Sequence, residues 1–322
     1  MQRKTILLVY CLLSMVTMAQ TGMSFTNLSI APYAGNCKAA VSYTFDDGIQ
    51  DQYTLAYPEM KRRGIRATFA IIGSKVGGII KAKDTDPVPA MTWNQLRQLY
   101  ADGFEIASHG WNHRGLPKLD EASLEQEVQK NDSAILAEIG HYPLTFVFPG
   151  NSKSDNVVAY VESTRVGSRT RQTSFGGKKD AAYMNAFVDN LLTSGSWGVT
   201  MTHGIATGYD HFQDPTQLYS HWDYVATLQG QLWVAPFCEV AAYVKERDHA
   251  TVSIHSENAK RIVLTISTTL DPTLFYQPLT LLVDAHVEAA TQDGNNLMVV
   301  CRDSQAIIDG INPNGGVITI YK

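Results

Sequence analysis

The sequence predicts an α/β protein: a distorted (β/α) barrel of about seven parallel strands, followed by a small C-terminal all-β domain. Three observations carry that expectation. From about residue 37 to 248, short apolar runs alternate with amphipathic stretches, the pattern of parallel strands joined by crossover helices. After Asp248 the runs become β-type, separated by turn signals such as QDGNN and NPNGG, with no convincing helix. Finally, 322 residues with 44% hydrophobic and 18% charged content suit a globular chain of one large or two ordinary domains.

The elements follow in order. Residues 39–45 form a strand rich in Val, Tyr, Thr and Phe. Residues 52–63 read as a helix that stops before Gly64, and IRATFAIIG as the next strand. In TWNQLRQLYADG, Thr92 is the N-cap, Gln95 takes the capping-box position and Gly103 lies past the end. FEIAS is a strand. Over 120–139, Leu124, Val128, Ile135 and Ile139 recur at helical spacing, and Gly140 closes the helix. LTFVFPG, VGSRT, WGVTMTHG and QLWVAPF supply further strands. Residues 250–322 read as a sandwich-like accessory domain, with 20–249 as the barrel.

Residues 1–19 have the form of a secretory signal: Arg3 and Lys4, the apolar run TILLVYCLLSMV, then a small-residue cleavage site after Ala19. The expectation is a secreted or periplasmic protein with no stable membrane span once the signal is removed. Cys11 leaves with it. Cys37, Cys238 and Cys301 remain, an odd number without metal-type spacing, and Cys37 and Cys238 are expected to stay unbridged. The formal net charge of −5, with no basic run beyond the leader, argues against a nucleic-acid partner. The oligomeric state is not readable.

The chemistry gathers at predicted strand ends, where parallel α/β folds place their functional groups. The first strand stops on Asp46 and Asp47 before Gly48. An Asp-Gly turn alone is commonplace. The next strand but one is followed by SHGWNH, so His109 and His113 can aim at one point; FVFPGN ends on Gly150 and Asn151, and VTMTH on His203. Two histidines and a carboxylate make a metal site with open positions. Trp111, between the histidines, could stack on a sugar ring or simply pack beside the site. Glu105 reads as structural, His221 as a helix-packing or surface residue, and Trp197 and Trp233 as core.

These motifs, TFDDG, then HGWNH about sixty residues on, then a Pro-Gly strand end, then an apolar strand ending in His, resemble the polysaccharide deacetylases (carbohydrate esterase family 4, the NodB-homology fold). The resemblance covers roughly residues 37–248. It implies a hydrolase that removes acetyl groups from an acetylated glycan, as N-acetyl amide or O-acetyl ester, with one divalent metal, Zn in first place. Asp47, His109 and His113 would bind the metal, Asp46 would be the general base, His203 the general acid, and the backbone around Gly150 would help hold the oxyanion. Two readings from other classes stand beside it: a carbohydrate-binding protein that has lost activity, and an Fe(II) oxygenase, whose sites usually sit in antiparallel β barrels.

The chain departs from the family pattern in places. The usual third motif, Arg-x-Pro-Tyr-Gly, is replaced by Val147, Phe148, Pro149, Gly150 and Asn151, so the arginine that steadies the base is missing. The usual Ser or Thr after the first metal histidine is Gly110, and no Asp-Trp motif precedes His203. Arg169 and Arg171 fall on one face of the following strand by period two. Arg169, or failing that Arg171, is therefore expected to reach Asp46 from the neighbouring strand and restore a bidentate guanidinium–carboxylate pair.

Overall fold

A computed structural model of the chain describes residues 26–322; the expected signal segment and Cys11 lie outside the described residues. The barrel region is built on parallel strands: β2 (Ala39–Ser42), β3 (Thr44–Phe45), β4 (Thr68–Ile71), β7 (Glu105–Ser108), β8 (Thr145–Val147), β9 (Gly167–Arg169), β10 (Thr173–Ser174), β11 (Trp197–Met201) and β12 (Leu232–Val234). Three short strands complete the N-terminal part: β1 (Leu28–Ile30) and the antiparallel pair β5 (Ile79–Ile80) and β6 (Val88–Pro89).

β2 and β3 are one strand interrupted at Tyr43, and that strand ties two sheets together. On one side β2 pairs with β11, and a parallel bridge continues the contact from Phe45 to Thr202. On the other side its first half pairs with β12 and its second half with β4. The resulting order is β10-β11-β2/β3-β4-β7-β8-β9, with β12 set beneath β4. This is a curled parallel sheet. No ladder joins β9 to β10, so the barrel is not closed among the described residues.

Local signals explain the helices. The helix Trp93–Ala101 has both arms of the capping box: Thr92 accepts from the Gln95 N–H, and the Gln95 side chain from the Thr92 N–H. Asp120 caps Glu121–Ile139, which ends on Gly140 at φ +80°. The stretch expected as a helix from 52 to 63 opens as a π turn, Gln52–Ala56, before Tyr57–Arg62 becomes regular. The core under these helices is aromatic and aliphatic, centred on Val41, Phe45, Phe69, Leu96, Leu99, Ile106 and Trp222. Trp222 is fully buried, as is its neighbour His221. Tyr43 donates its hydroxyl to His221 Nε2 at 2.8 Å, and Nδ1–H donates to Asn185 Oδ1 at 2.8 Å, which makes His221 a packing residue.

Beyond the last helix, Phe237–His249, the strands are β13 (Thr251–Glu257), β14 (Arg261–Ser267), β15 (Leu279–Val283), β16 (Ala289–Gln292), β17 (Asn295–Asn296), β18 (Met298–Arg302), β19 (Gln305–Ile311) and β20 (Ile318–Tyr321). They form two antiparallel sheets sharing one apolar core that includes Ile262, Leu264, Leu281, Ile308 and Ile320. Burial alternates along β14, as period two requires. One strand crosses the boundary expected at residue 249: β1 pairs antiparallel with β15, Leu28 opposite Val283. Cys37, Cys238 and Cys301 are free thiols.

Candidate active site and metal centre

The site is assembled at the carboxyl ends of β3, β7, β9 and β11. After Phe45 the chain turns sharply: Asp47 sits at φ +73° and Gly48 at φ +78°. Asp tolerates this left-handed backbone because its short polar side chain bonds locally. The turn aims the two carboxylates differently. Both are buried, Asp46 at 2% and Asp47 at 8% exposure.

Asp47 points at the histidines. Its Oδ1 lies 3.4 Å from His109 Nε2 and 3.5 Å from His113 Nε2, and the three potential ligand atoms lie within 4.8 Å of one another. Asp47 Oδ1 has no hydrogen-bond partner among the described residues. A buried carboxylate oxygen without a donor is costly, and a cation between these groups would satisfy it. His109 Nδ1 is 2.7 Å from the Val147 carbonyl oxygen, which can only accept. The proton therefore sits on Nδ1, and Nε2 presents its lone pair to the cluster. At His113, burial and the neighbouring His109 lower the pKa and favour the neutral ring that a metal needs. A carboxylate, two imidazoles and an open side toward the cleft fit a divalent metal.

Asp46 faces the other way, into a guanidinium. Arg169 Nη1 donates to Asp46 Oδ1 and Nη2 to Oδ2, both at 2.6 Å, while Nη1 also donates to Thr44 Oγ1. Burial pushes the Asp46 carboxyl up, but the charge and hydrogen bonds of Arg169, with His109 and His203 nearby, outweigh it and hold it at about 2. Arg169 is 2% exposed and comes from β9, four places along the sheet from β3. It reaches Asp46 across the barrel interior, not from a neighbouring strand. Arg171, past the strand end, is exposed and makes no such pair.

His203 closes the third side, its Nε2 3.9 Å from Asp46 Oδ2 and its ring edge-on to Tyr209 at 4.9 Å between centroids. Its Nδ1 is buried without a partner among the described residues, in keeping with the missing Asp-Trp motif. These groups line a cleft of about 500 Å³, with Gly150, Asn151, Met201, Tyr209 and the loop Lys81–Lys83. The Asn151 N–H already donates to Phe148 O at 3.0 Å, so it is not free to hold an oxyanion. Trp111 does not line this cleft. Its ring lies over Gly73, where an added Cβ would come within 2.7 Å of it, and beneath Lys130 at 4.4 Å. Of the two readings for Trp111, stacking on a sugar or packing beside the site, these surroundings are those of packing.

Three residues that sequence reasoning missed hold the ends of these strands in place. Gln52 Nε2 donates to the carbonyls of both Asp46, at 2.6 Å, and His203, at 2.9 Å, tying two loops together. Asp51 Oδ2 accepts from the N–H groups of Ile205, Ala206 and Thr207, fixing the turn after His203. Buried Glu127 accepts from the Asn112 and Arg114 N–H groups through Oε1, clamping the loop in which His113 sits at φ +60°. Glu127 also explains Gly110: a Cβ there would meet Glu127 Oε1 at 3.1 Å, and Gly110 itself is at φ +76°. Polar residues inside a helix period, or just after a turn, were the only signal available.

Residues 34–167 match the family model described as polysaccharide deacetylase. Among curated relatives, the chain is 25% identical over 313 positions to a gellan lyase of Bacillus sp, covering 82% of this chain and 12% of that protein. It is 28% identical over 109 positions to the peptidoglycan-N-acetylglucosamine deacetylase PgdA of Listeria monocytogenes, covering 33% of this chain and 20% of that one. The chain thus spans a small part of the length of these relatives. Among solved structures, a putative polysaccharide deacetylase from Mycobacterium smegmatis aligns with TM-score 0.49 at 14% identity, over 68% of this chain and 95% of that one. The segment that bears the site motifs, residues 34–167, is thus similar to the polysaccharide deacetylase family.

Proposed function

We propose that the protein is a metal-dependent hydrolase that removes acetyl groups, as amide or ester, from a polysaccharide or oligosaccharide. The observation that carries this is the division of labour between adjacent acids: Asp47 turned to two histidine lone pairs, Asp46 locked to Arg169 and facing His203 across the same cleft. A binding protein needs neither a held base nor a facing acid. The parallel sheet bearing the site sets it apart from the oxygenase reading.

Asp47, His109 and His113 would hold the metal, which when bound supplies Lewis-acid polarisation of the acetyl oxygen and lowers the pKa of water. Asp46 remains ionised throughout the working range and takes a proton from the attacking water on a lone pair that Arg169 leaves free. With a carboxyl held at about 2, its strength is permanence of charge more than basicity. Arg169 fixes the plane of that carboxylate with two hydrogen bonds. His203 gives a proton to the departing sugar nitrogen or oxygen. Gly150 and Tyr209 would flank the acetyl group as walls of the cleft. The basic and apolar leader supports export to the periplasm or beyond, and the C-terminal β region is read as an accessory domain. Elemental analysis of the purified chain, together with acetate release from a panel of N- and O-acetylated glycans, tests the reading. A metal-loaded protein that releases no acetate from any of them would refute it.

A further inference from the structure

The candidate cleft carries cations that the chemistry above does not use. Lys81 and Lys83, two apart with Ala82 between them, line the same space as Asp46, Asp47 and His203. Neither pairs with a carboxylate among the described residues. The cleft offers them no anion: its only acids are Asp46, whose charge Arg169 takes, and Asp47, turned to the histidines. Asp84 and Asp86, in the same loop, do not line it. Lys153 Nζ donates to the carbonyl of cleft-lining Asn151 at 3.4 Å.

The lysine loop is held in register with the catalytic turn. It joins β5 to β6, whose Ile80 and Val88 pack with Ile49 and Ala90 in a small buried cluster. An antiparallel bridge links Ile49 to Ala90, and the Met91 N–H donates to Gly48 O at 2.8 Å. Thr85 Oγ1 donates to Ala82 O, closing the turn beneath Lys83. The backbone that carries the two exposed lysines is thereby held relative to Asp46 and Asp47, in a protein whose net charge is −5. A local positive field in an overall acidic protein selects and steers an anion.

We propose that the glycan bound in this cleft is anionic, with a carboxylate or sulfate on a sugar beside the acetylated one, and that Lys81 and Lys83 receive that charge. This rests on the deacetylase reading for the identity of the cleft, but its test does not depend on turnover. Binding of matched acetylated oligosaccharides, one uronate-bearing, one sulfated and one the neutral parent, is measured by calorimetry at low and high salt. Acetate release is followed in parallel. At low salt the anionic ligands should bind about tenfold more tightly than the neutral one, as for two exposed charge pairs. The ratio should shrink toward one at about 1 M salt, where the Debye length is roughly 3 Å. In the K81Q/K83Q variant it should be near one at both. The uronate and sulfate arms show which anion is preferred. If the intact protein binds the anionic ligands no more tightly than the neutral parent, or binds none of them, the inference is wrong whatever the acetate result. The same holds if the ratio survives in K81Q/K83Q. Absence of acetate release alongside a lysine-dependent ratio would sink the hydrolase reading and leave this one standing.

Discussion

Replacing Arg169 by Met removes the guanidinium and leaves Asp46 buried without its partner. The energetic consequence follows from the carboxyl's position. The gap between its ordinary 3.8 and about 2 corresponds to about 2.5 kcal/mol of folding stability, at about 1.36 kcal/mol per pH unit. Because the folded value lies below the unfolded one, that contribution is present in full above pH 3.8 and is lost as pH falls through about 2. Without Arg169 it does more than vanish, since burial now drives the carboxyl upward unopposed except by the histidines. Breaking a buried pair by deleting one member costs about 3–5 kcal/mol, so a loss in the range of about 2.5–5 kcal/mol is expected at pH 7. Urea denaturation with chelator present, so that metal linkage is absent, reads it directly. Arg169→Lys keeps one charge but not the fork, and should fold. In that variant the acid limb of the acetate-release profile should move to higher pH, because Asp46 protonates more easily. A loss below about 1 kcal/mol in Arg169→Met, together with an unmoved acid limb in Arg169→Lys, would refute the role assigned to this pair.

His109→Ala and His113→Ala should each remove most bound metal, read by elemental analysis, while Asp46→Asn should keep the metal and lower acetate release by about 10²–10⁴-fold. Metal affinity should weaken as pH falls: although burial lowers the His109 pKa, the Asp47 and Asp46 carboxylates raise it further, so a proton competes for Nε2. Calorimetric titrations at two pH values give the slope. Glu127→Gln should loosen the His113 loop and weaken metal binding by about 10–100-fold with little change in helical content by circular dichroism. His221 is buried and held at about 3, so its stabilisation is complete above its unfolded pKa of about 6.5 and fades as pH drops toward 3. Between pH 7 and pH 5 this one ring should cost about 2 kcal/mol, and the loss should be absent from a folded variant with Gln at that position.

The parts of the fold that the sequence displayed were those governed by short range. The capping box at Thr92, the Asp120 cap and the Gly140 stop act within one turn, and each appears where the residues put it. The Asp46–Asp47 turn was visible because acids interrupt a good strand. Arg169 was reachable through strand periodicity, yet which strands it would lie between was not, because curling of a sheet is a collective property that brings β9 opposite β3. Trp111 lies between two site histidines in sequence, but a glycine at position 73 offers its ring a berth that only the folded chain reveals. Gln52, Asp51 and Glu127 were hidden for the same reason: a polar side chain inside a helical stretch reads as solvent-facing until one knows which backbone donors meet it. The lysine loop escaped notice because two-residue strands bounded by Pro and Gly carry almost no periodic signal.

The pairing of Leu28–Ile30 with Leu281–Val283 has a consequence for how the chain is made and cut. Segments so far apart in sequence must find each other, and closing so long a loop is entropically costly. The stitch is reinforced: the Lys322 ammonium and the Thr26 hydroxyl and N–H all converge on Glu257, and Tyr243 donates to Ala31 O at 2.9 Å. A recombinant fragment ending near residue 249 would therefore not be a barrel freed of its appendage. It would carry an unpaired leading strand and an uncovered Tyr243, surfaces prone to aggregation. A free-standing catalytic piece is better sought by trimming both ends together, starting after Pro32, than by cutting at the apparent boundary alone.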